Sequence, residues 1–548
     1  MKIKSIFFAC LLAFSLCSYC QPCLSGGIDI SNQSQIDDFP TNFPACTQIL
    51  GDVKITGINI SNLDGLSNLT SIGGTLTIHG TAIQSDLSAL NNLDSVGGDI
   101  LIASNNSLPS LNGLNNLKHA SGHVIISNNG ALISLDGFAK LIVSKTFQII
   151  YNPLLESLGS QGMLENITPD GELFIYKNPK LTSLAGLQNL TQVEGDITIS
   201  DNESLTSLDS LIHLTSVSKV FTITSNPALT NLSGLNNLTS VGYLEILSND
   251  SLASLNHLSK LEEAKTFSIR ENPMLVNLEG LSNLHSISER FEIWQNAYLE
   301  KIGAMNFPDT FWGHISIIGN PKLTSLEAFN NLSFINKGIT VYNNESLTNL
   351  AGLKNLRKSG GLGIGGSPLL ENLFDLNQLD SIIGGARVEL SFNPSLTSLS
   401  GLENLRFISG DLWIYDNPVL SSLSGLENLH HLRKLEIKNN PFLTNLSAID
   451  SVEFAAELDG YWIQIESNPL LSFCGAQSIC NRMAIHWGWT IFSDNAEGCN
   501  SQGQVLESCG LSYTDDKIEE AEIRIYPNPT SGVFVVELET PKRFKAQV

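Results

Sequence analysis

The sequence predicts an all-β-rich solenoid, a right-handed coil of about 18 repeats of ~24 residues that is disulfide-capped at both ends. Three observations predict this fold. A frame of about 24 residues recurs between Val53 and Asn468. Apolar and polar residues alternate in the centre of each frame, as they do in a strand. The cysteines that follow a predicted export signal all lie before or after the recurring part.

The frame is clearest at residues 405–428, which read LRFISGDLWIYDNPVLSSLSGLEN. Its centre is apolar-x-apolar-x-x-Asn, so two apolar columns face one side of a strand. Eighteen such rows run from Val53/Ile55 to Ile463/Ile465, and neither column contains a polar residue. A unit this short cannot bury its apolar face alone, so each strand is expected to pair in parallel with the strand of the next coil.

The asparagine that closes most rows is expected to turn inward. A short amide there can bond the backbone of the adjacent coil and tolerate turn geometry, which predicts an asparagine ladder. Its members include Asn178, Asn202, Asn226, Asn249, Asn272, Asn296, Asn320, Asn393 and Asn417. Proline often follows and marks a corner, because it fixes φ and has no N–H. The inward leucines that come next predict two further short sides.

This frame resembles the leucine-rich repeat of bacterial proteins and the receptor L domain, the repeat of the ligand-binding ectodomains of the insulin and epidermal-growth-factor receptors. The resemblance covers about 420 of the 548 residues, at 53–470. It implies a leucine-rich-repeat or receptor L-domain-like fold. Solenoids of this type bind unrelated ligands, so the resemblance does not name a function by itself.

Residues 1–20 are typical of a cleaved signal peptide. Lys2 and Lys4 precede an apolar run at residues 6–16 that is too short to span a bilayer. No later stretch could cross a membrane, so we expect no transmembrane span in the mature chain. Residues 21–52 are then an N-terminal cap before the first coil.

The charge and composition favour a secreted protein. The net charge is −24, and removal of Lys2 and Lys4 with the signal makes it −26. Such a surface repels nucleic acid and anionic lipid, so no nucleic-acid partner is expected. With 42% hydrophobic and only 15% charged residues, much of the exterior must be uncharged, which suits a β-rich exported protein better than a cytosolic enzyme.

Six cysteines remain after the signal, and none lies within the coils. Their even number, export and position predict disulfide-bonded caps. Cys23 and Cys46 form the expected N-terminal pair. The C-terminal cap, residues 471–509, allows three connectivities, of which we favour Cys474–Cys499 with Cys480–Cys509. Zinc is the alternative use of four cysteines, but the paired C-x-x-C spacing is missing.

An acidic linker at residues 510–522 leads to a short tail at residues 523–548. This tail resembles the start of the C-terminal sorting domain of type IX secretion, on Tyr526-Pro527-Asn528-Pro529 and Thr530-Ser531-Gly532. The stretch is truncated relative to a whole domain of this kind. The resemblance implies the type IX secretion machinery as a partner and delivery to the outer cell surface of a Gram-negative bacterium, or secretion from it.

No enzyme motif stands out, and we predict a protein that is not an enzyme and has no catalytic residue, cofactor or metal. Gly361, Gly363 and Gly366 spell GxGxxG, but Leu362 and Ile364 occupy the inward columns and no helix pattern follows. Two alternatives stay open. A carbohydrate-active β-helix enzyme would need carboxylates converging in one groove, and a structural surface-layer component would self-associate without a ligand.

The candidate ligand-binding residues are bulky side chains in columns that should point outward. They are Phe174, Tyr176, Trp294, Ile318, Tyr342, Trp413 and Tyr415. The intervals of 24 between Trp294, Ile318 and Tyr342 predict one stack on the sheet. Exposed aromatic side chains can bind a sugar or a protein, although they can also only stabilise neighbouring strands. We therefore predict a binding or adhesion protein that recognises an extracellular protein or glycan.

Two longer coils are further candidates, because insertions in solenoids emerge as loops that often carry function. They occupy residues 300–314 and 451–462. In the first, Phe311 and Trp312 are expected to be exposed.

Overall fold

The computed structural model describes residues 21–159, 162–167, 171–455, 463–486 and 490–511, with the backbone of Arg524–Pro527 and Phe534–Glu537. These residues form a parallel-strand β-solenoid of about 19 turns with disulfides near both ends. The predicted fold class is therefore confirmed. The predicted signal peptide, most of the linker and most of the sorting motif lie outside the described residues.

Every coil contributes a strand to one main sheet, and the predicted apolar rows are buried on it. Successive rows are in register, so that Val53 faces Leu76 and Ile55 faces Ile78. The main-sheet strands are Ile28–Ile30, Val53–Thr56, Leu76–His79, Ile100–Ala103, Val124–Ser127, Phe147–Ile150, Leu173–Tyr176, Ile197–Ser200, Ser216–Thr224, Ser240–Leu247, Glu263–Arg270, Ser286–Trp294, His314–Ile318, Gly338–Tyr342, Leu362–Gly365, Val388–Ser391, Asp411–Tyr415, Lys434–Lys438, Ile463–Glu466 and Thr490–Ser493. The first and last of these extend the predicted series by one coil at each end.

Short strands form a second side of the coil. One sheet contains Gln21–Cys23, Cys46–Ile49, Ser71–Ile72, Ser95–Val96, His119–Ala120, Leu141–Val143 and Leu164–Ile167. Another contains Thr310–Phe311, Phe334–Ile335, Lys358–Ser359, Ser381–Ile382, Phe407–Ile408, His431–Leu432 and Glu453–Phe454. Between them, Gln192–Val193 pairs with the start of Ser216–Thr224. The long central strands turn this corner without a break.

Many coils have a 3₁₀ turn on the third side, where the G-L-x-N-L segments lie. These turns are Asp64–Leu66, Ser88–Leu90, Asp209–Leu211, Asn256–Leu258, Glu279–Leu281, Glu327–Phe329, Ala351–Leu353, Phe374–Leu376 and Ser447–Ile449. Their leucines are buried with those of the N-P-x-L-x-x-L segments, and together with the sheet columns they form one continuous core. The predicted three short sides are confirmed.

The asparagine ladder is confirmed, and it runs from Asn105 to Asn495 with one interruption. The backbone N–H and Nδ2 of Asn202 both donate to Oδ1 of Asn226, at 3.1 and 3.3 Å, and Nδ2 also donates to the carbonyl oxygen of Ile175 at 3.0 Å. Buried ladder members are Asn105, Asn129, Asn152, Asn178, Asn202, Asn226, Asn249, Asn272, Asn296, Asn320, Asn344, Asn393, Asn417, Asn440, Asn468 and Asn495. Ser367 replaces the amide between Asn344 and Asn393, and so offers no amide oxygen to the preceding coil.

The unusual backbone conformation lies on the residue before each ladder asparagine, rather than on the asparagine itself. At this position Tyr151, Lys177, Asp201 and many equivalents have φ between 52 and 58°, in the left-handed region. This conformation costs a residue with a side chain roughly 1–2 kcal/mol. The hydrogen bonds of the ladder hold the turn in place and offset that cost.

Both caps are built as predicted. Cys23–Cys46, Cys474–Cys499 and Cys480–Cys509 are disulfides, with Cα atoms 5.6, 5.5 and 5.4 Å apart. The N-terminal cap contains the helices Gln33–Asp37 and Phe39–Asn42, and the C-terminal cap contains Gln477–His486 and Gln502–Ser508. In the tail, Arg524–Pro527 pairs antiparallel with Phe534–Glu537.

Candidate ligand-binding face and turn-edge grooves

The predicted stack on the main sheet is correct in register. Trp294 faces Ile318, which faces Tyr342 on the next strand, and this column continues from Tyr342 to Gly365. Tyr415 lies farther along the same column. The seven candidate residues are all half-buried, so their side chains lie against neighbouring strands while part of each surface is open to solvent.

Trp294 lies at the centre of a first group of outward side chains. The guanidinium carbon of Arg270 is 4.3 Å from the centroid of its indole ring, which is a cation–π contact. The indole Nε1 donates to Ser316 Oγ at 2.8 Å. Arg270 also pairs with Glu292 and donates from Nε to Ser268 Oγ at 2.7 Å. We call these five residues the Trp294 cluster.

A second group, the Trp413 cluster, contains Arg387, Trp413, Tyr415, Glu436 and Lys438. The guanidinium carbon of Arg387 is 4.1 Å from the Trp413 ring centroid, and the Trp413 and Tyr415 centroids are 5.7 Å apart. The Tyr415 hydroxyl donates to Glu436, which Lys438 approaches to 3.4 Å. Burial, followed by the hydrogen bond to Glu436, raises the pKa of Tyr415 well above its ordinary value.

Between the two clusters, the Tyr342 ring lies over two glycines. A Cβ atom at Gly363 would come within 2.9 Å of the ring and one at Gly365 within 2.3 Å. Packing therefore explains Gly363 of the GxGxxG sequence and the adjacent Gly365, because both lie on the strand Leu362–Gly365 and leave room for the aromatic side chain. Burial raises the pKa of Tyr342 well above its ordinary value.

Tyr176 belongs to a different environment, where the main-sheet strands end. Its ring contacts Tyr151 edge-to-face with centroids 5.5 Å apart, and Lys177 Nζ lies 5.3 Å from the Tyr151 centroid and 4.9 Å from the Tyr176 centroid. The interaction with Tyr176 raises the pKa of Lys177. Phe174 is half-buried two residues earlier on the same strand, Leu173–Tyr176. Tyr151, which is 43% exposed, was not among the candidate ligand-binding residues predicted from the sequence.

Two grooves follow the edge where these strands end. Each is formed by the left-handed residues before the ladder asparagines and by the residues directly after them. The tyrosine groove, of about 650 Å³, is lined by Asn128, Tyr151, Pro153, Lys177, Pro179, Asp201, Glu203, Ser225, Pro227, Ser248 and Asp250. The proline groove, of about 510 Å³, is lined by Asp416, Pro418, Asn439, Pro441, Ser467 and Pro469.

The long coil at residues 300–314 differs from its prediction. Trp312 is 63% exposed as expected, but Phe311 is fully buried, and the expectation for Phe311 was wrong. It packs on Phe307 with ring centroids 5.8 Å apart, and Phe307 in turn packs on Phe329 at 5.0 Å. These rings fill the core beside a third side that lacks a 3₁₀ turn. Most of the second long coil lies outside the described residues.

No cluster of three or more potential metal ligands occurs among the residues that the structure describes. In the same part of the chain, no helix has the length and apolar character needed to cross a bilayer. His314, beside the Trp294 cluster, has its pKa lowered by burial, and its Nε2 is 3.1 Å from Thr340 Oγ1. This half-buried histidine is accounted for by packing and by its hydrogen bond.

The receptor L domain family model matches residues 45–136. The match supports the resemblance drawn from the repeat frame over the first coils. No curated protein has significant sequence similarity to the chain.

Two solved structures are similar to this chain at low identity. One is a TLR13–ssRNA13 complex, at 20% identity and a TM-score of 0.27, covering 82% of this chain and 72% of that chain. The other is the mouse RP105/MD-1 complex, at 13% identity and a TM-score of 0.28, covering 87% of this chain and 92% of that chain. With TM-scores this low, we base no argument on either likeness.

Proposed function

We propose that this chain is a non-catalytic binding or adhesion protein that recognises an extracellular protein or glycan with the outward face of its main sheet. One observation carries the proposal. The Trp294 and Trp413 clusters share the outward columns of one continuous sheet, and their aromatic rings are held in fixed orientations by cations and hydrogen bonds. Tryptophan, tyrosine and arginine are the residues most enriched in binding hot spots.

The arrangement suits recognition because it is preorganised. The strands Glu263–Arg270 and Lys434–Lys438 are seven steps apart in the sheet, so the two clusters lie within about 34 Å of each other. The Lys438–Glu436 pair is partly exposed and contributes little to stability, whereas the Arg270–Glu292 pair holds a buried carboxylate against the partly exposed guanidinium. Side chains that are ordered before binding lose less conformational entropy when a partner binds.

Export to the cell surface is the second part of the proposal. Three disulfides in the caps suit an oxidising compartment. The signal-like residues 1–20 and the motif at 526–532 favour delivery by the type IX machinery to the outer surface of a Gram-negative bacterium, or secretion from it. Secretion of the full chain by a bacterium with and without that machinery tests this part.

The test of binding uses the purified full chain on a glycan array and on immobilised collagen and fibronectin. Trp294→Ala combined with Trp413→Ala should weaken binding to any positive probe at least about tenfold, because each substitution removes a hot-spot side chain. Phe374→Ala is the matched control, since Phe374 is 59% exposed on the third side of the coil.

Equal binding by the double variant and the wild type would exclude the sheet face as the contact surface. Loss of binding in the Phe374 variant as well would indicate a general loss of folding, which thermal unfolding of all three proteins detects. Self-association without any ligand would favour a structural surface-layer role instead.

A further inference from the structure

We propose that the tyrosine groove is a second binding site, for a linear glycan of neutral or amino sugars that lies along the solenoid axis. The site is separate from the Trp294 and Trp413 clusters. It therefore stands or falls independently of the function proposed for the sheet face.

The groove has a regular frame. Its two columns flank the buried asparagine ladder, and it crosses six successive coils, from Asn128 to Ser248. Five steps between neighbouring strands correspond to about 24 Å. A ligand that follows this groove must be elongated, because the same two positions of the repeat line it from end to end.

A fixed aromatic ring lies towards one end. Tyr151 is 43% exposed, Lys177 lies over its ring, and Tyr176 contacts it edge-to-face. An exposed ring that cannot rotate freely offers an apolar surface at low entropic cost. Such a surface fits the apolar face of a pyranose ring.

Carboxylates line the other end. Glu203 and Asp250 occupy the same column two coils apart, so their backbone positions are about 9.6 Å from each other. Both are exposed, and among the described residues neither takes part in an ion pair. Asp201 beside them accepts from the Ser200 hydroxyl. Carboxylate oxygens accept hydrogen bonds from hydroxyl and amino groups, which sugars supply along their whole length.

The charge of the groove selects among glycans. Three carboxylates face a single lysine, and that lysine already contacts two tyrosine rings. The chain as a whole carries a net charge of −24. Uronic acids and sulfated sugars would be repelled, whereas neutral sugars would not and amino sugars would be attracted.

The backbone of the groove argues against an extended peptide. The N–H groups of the left-handed residues are already used, since Tyr151 donates to Tyr176, Lys177 to Ser200 and Ser225 to Leu247 in the next coil. Pro153, Pro179 and Pro227 have no N–H to offer. A peptide that added itself as a strand would find few donors here, whereas a glycan needs only side chains.

The proline groove is an internal control, because it uses the same two columns without an aromatic ring or a pair of carboxylates. Isothermal titration of the full chain with cellohexaose, a glucosamine hexamer and a hexagalacturonate compares neutral, amino and acidic ligands. We expect binding of the first two and not of the third.

Tyr151→Ala should weaken that binding about tenfold, and Asp250→Asn should weaken binding of the glucosamine hexamer more than that of cellohexaose. Tyr151→Phe should retain affinity, which separates stacking from loss of folding. Phe442→Ala changes the residue directly after Pro441 of the proline groove and should leave affinity unchanged.

The proposal is overturned if neither the neutral nor the amino hexamer binds, if Tyr151→Ala binds as well as wild type, or if the acidic hexamer binds best. Displacement of the sugars by a lysine-rich peptide with tighter affinity would likewise replace the glycan with a basic protein as the ligand. The Trp294→Ala/Trp413→Ala variant should bind the hexamers normally, so failure of the sheet-face function remains distinguishable.

Discussion

The tyrosine groove and the proline groove are built on the same backbone and differ only in the side chains that the repeat leaves variable. In both, a left-handed residue precedes a buried asparagine and another residue follows it. The tyrosine groove carries a ring, a lysine and carboxylates at those positions. The proline groove has a proline after the asparagine in all three of its coils, and its lining contains one carboxylate, Asp416, but no aromatic ring and no lysine.

Apolar residues directly after the prolines of the proline groove are a further difference between the two grooves. Val419, Phe442 and Leu470 follow the three prolines in successive coils, and they are 37, 56 and 52% exposed. The buried frame of the solenoid therefore determines shape and spacing, whereas the outward side chains of each coil determine its chemistry. Changes to the frame should therefore act alike on both grooves, and changes at outward positions should act on one.

The largest expected effect is on the shared frame. Asn226→Ala removes the oxygen that accepts from the Asn202 N–H at 3.1 Å and the Nδ2 that donates to the Ile199 carbonyl at 3.0 Å. Asn440→Ala removes the equivalent bonds under the proline groove. Each variant should lose about 3 kcal/mol of unfolding free energy, because two buried polar groups lose their partners.

Denaturant unfolding of both variants checks this expectation. The control is Asn428→Ala, whose exposed amide donates to the Glu403 carbonyl at 2.8 Å and should cost less than about 0.5 kcal/mol. A loss below about 1 kcal/mol at either ladder position would contradict the idea of a common frame.

A middle-sized effect is expected at the point that separates the two grooves. The tyrosine groove lies on the ladder segment that ends at Asn344, and the proline groove lies on the segment that begins at Asn393. Ser367→Asn would supply the missing amide oxygen and join them. We expect a gain of about 1 kcal/mol, the usual contribution of one buried hydrogen bond.

Native-state hydrogen exchange checks the substitution best, because it measures opening on each side of residue 367 separately. The amide of Asn344 should become more protected in the variant. Ser367→Ala, which adds no acceptor, should not increase that protection, and an equal increase in both variants would refute the explanation.

The smallest effect is expected from relief of backbone strain. Ser225 in the tyrosine groove and Ser467 in the proline groove have φ of 54 and 58°. Glycine adopts this region without steric cost but loses more entropy on folding, so Ser225→Gly and Ser467→Gly should each stabilise the protein by about 0.5 kcal/mol. Thermal unfolding should show two similar increases in Tm, and a decrease in either would indicate that the serine side chain is needed.

The sequence predicted the parts of the fold that repeat. An alternation with period two locates the strands, and the asparagine that recurs three residues after most inward pairs locates the ladder. The repeat pattern did not identify the strands at the two ends of the main sheet. Thr490 puts a polar residue in an inward column, and Ile30 is followed by Asn32, which caps the helix Gln33–Asp37 instead of joining the ladder.

The candidate site was only partly predictable, for a physical reason. The spacing of the repeat shows which side chains share a column of the sheet, as it did for Trp294 and Tyr342. It does not show which side chains make contacts across the turn that follows the strand. Tyr151 was missed because the left-handed position accepts many residue types and has no signature of its own. Phe311 was misplaced because it pairs with Ile335 on the second side of the coil and lies in the same buried column, which the irregular sequence of this long coil concealed.

The asparagine ladder also has a consequence for how such a chain can change its length. Each interior asparagine accepts at Oδ1 from the asparagine of the coil before it and donates from its N–H and Nδ2 to the asparagine of the coil after it, so each such step uses the same bonds. Duplication or deletion of one complete coil would leave every remaining bond with an equivalent partner, whereas a change of a few residues would not. The protein can thus be lengthened or shortened in whole coils, and the number of coils between two bound ligands would act as a molecular ruler.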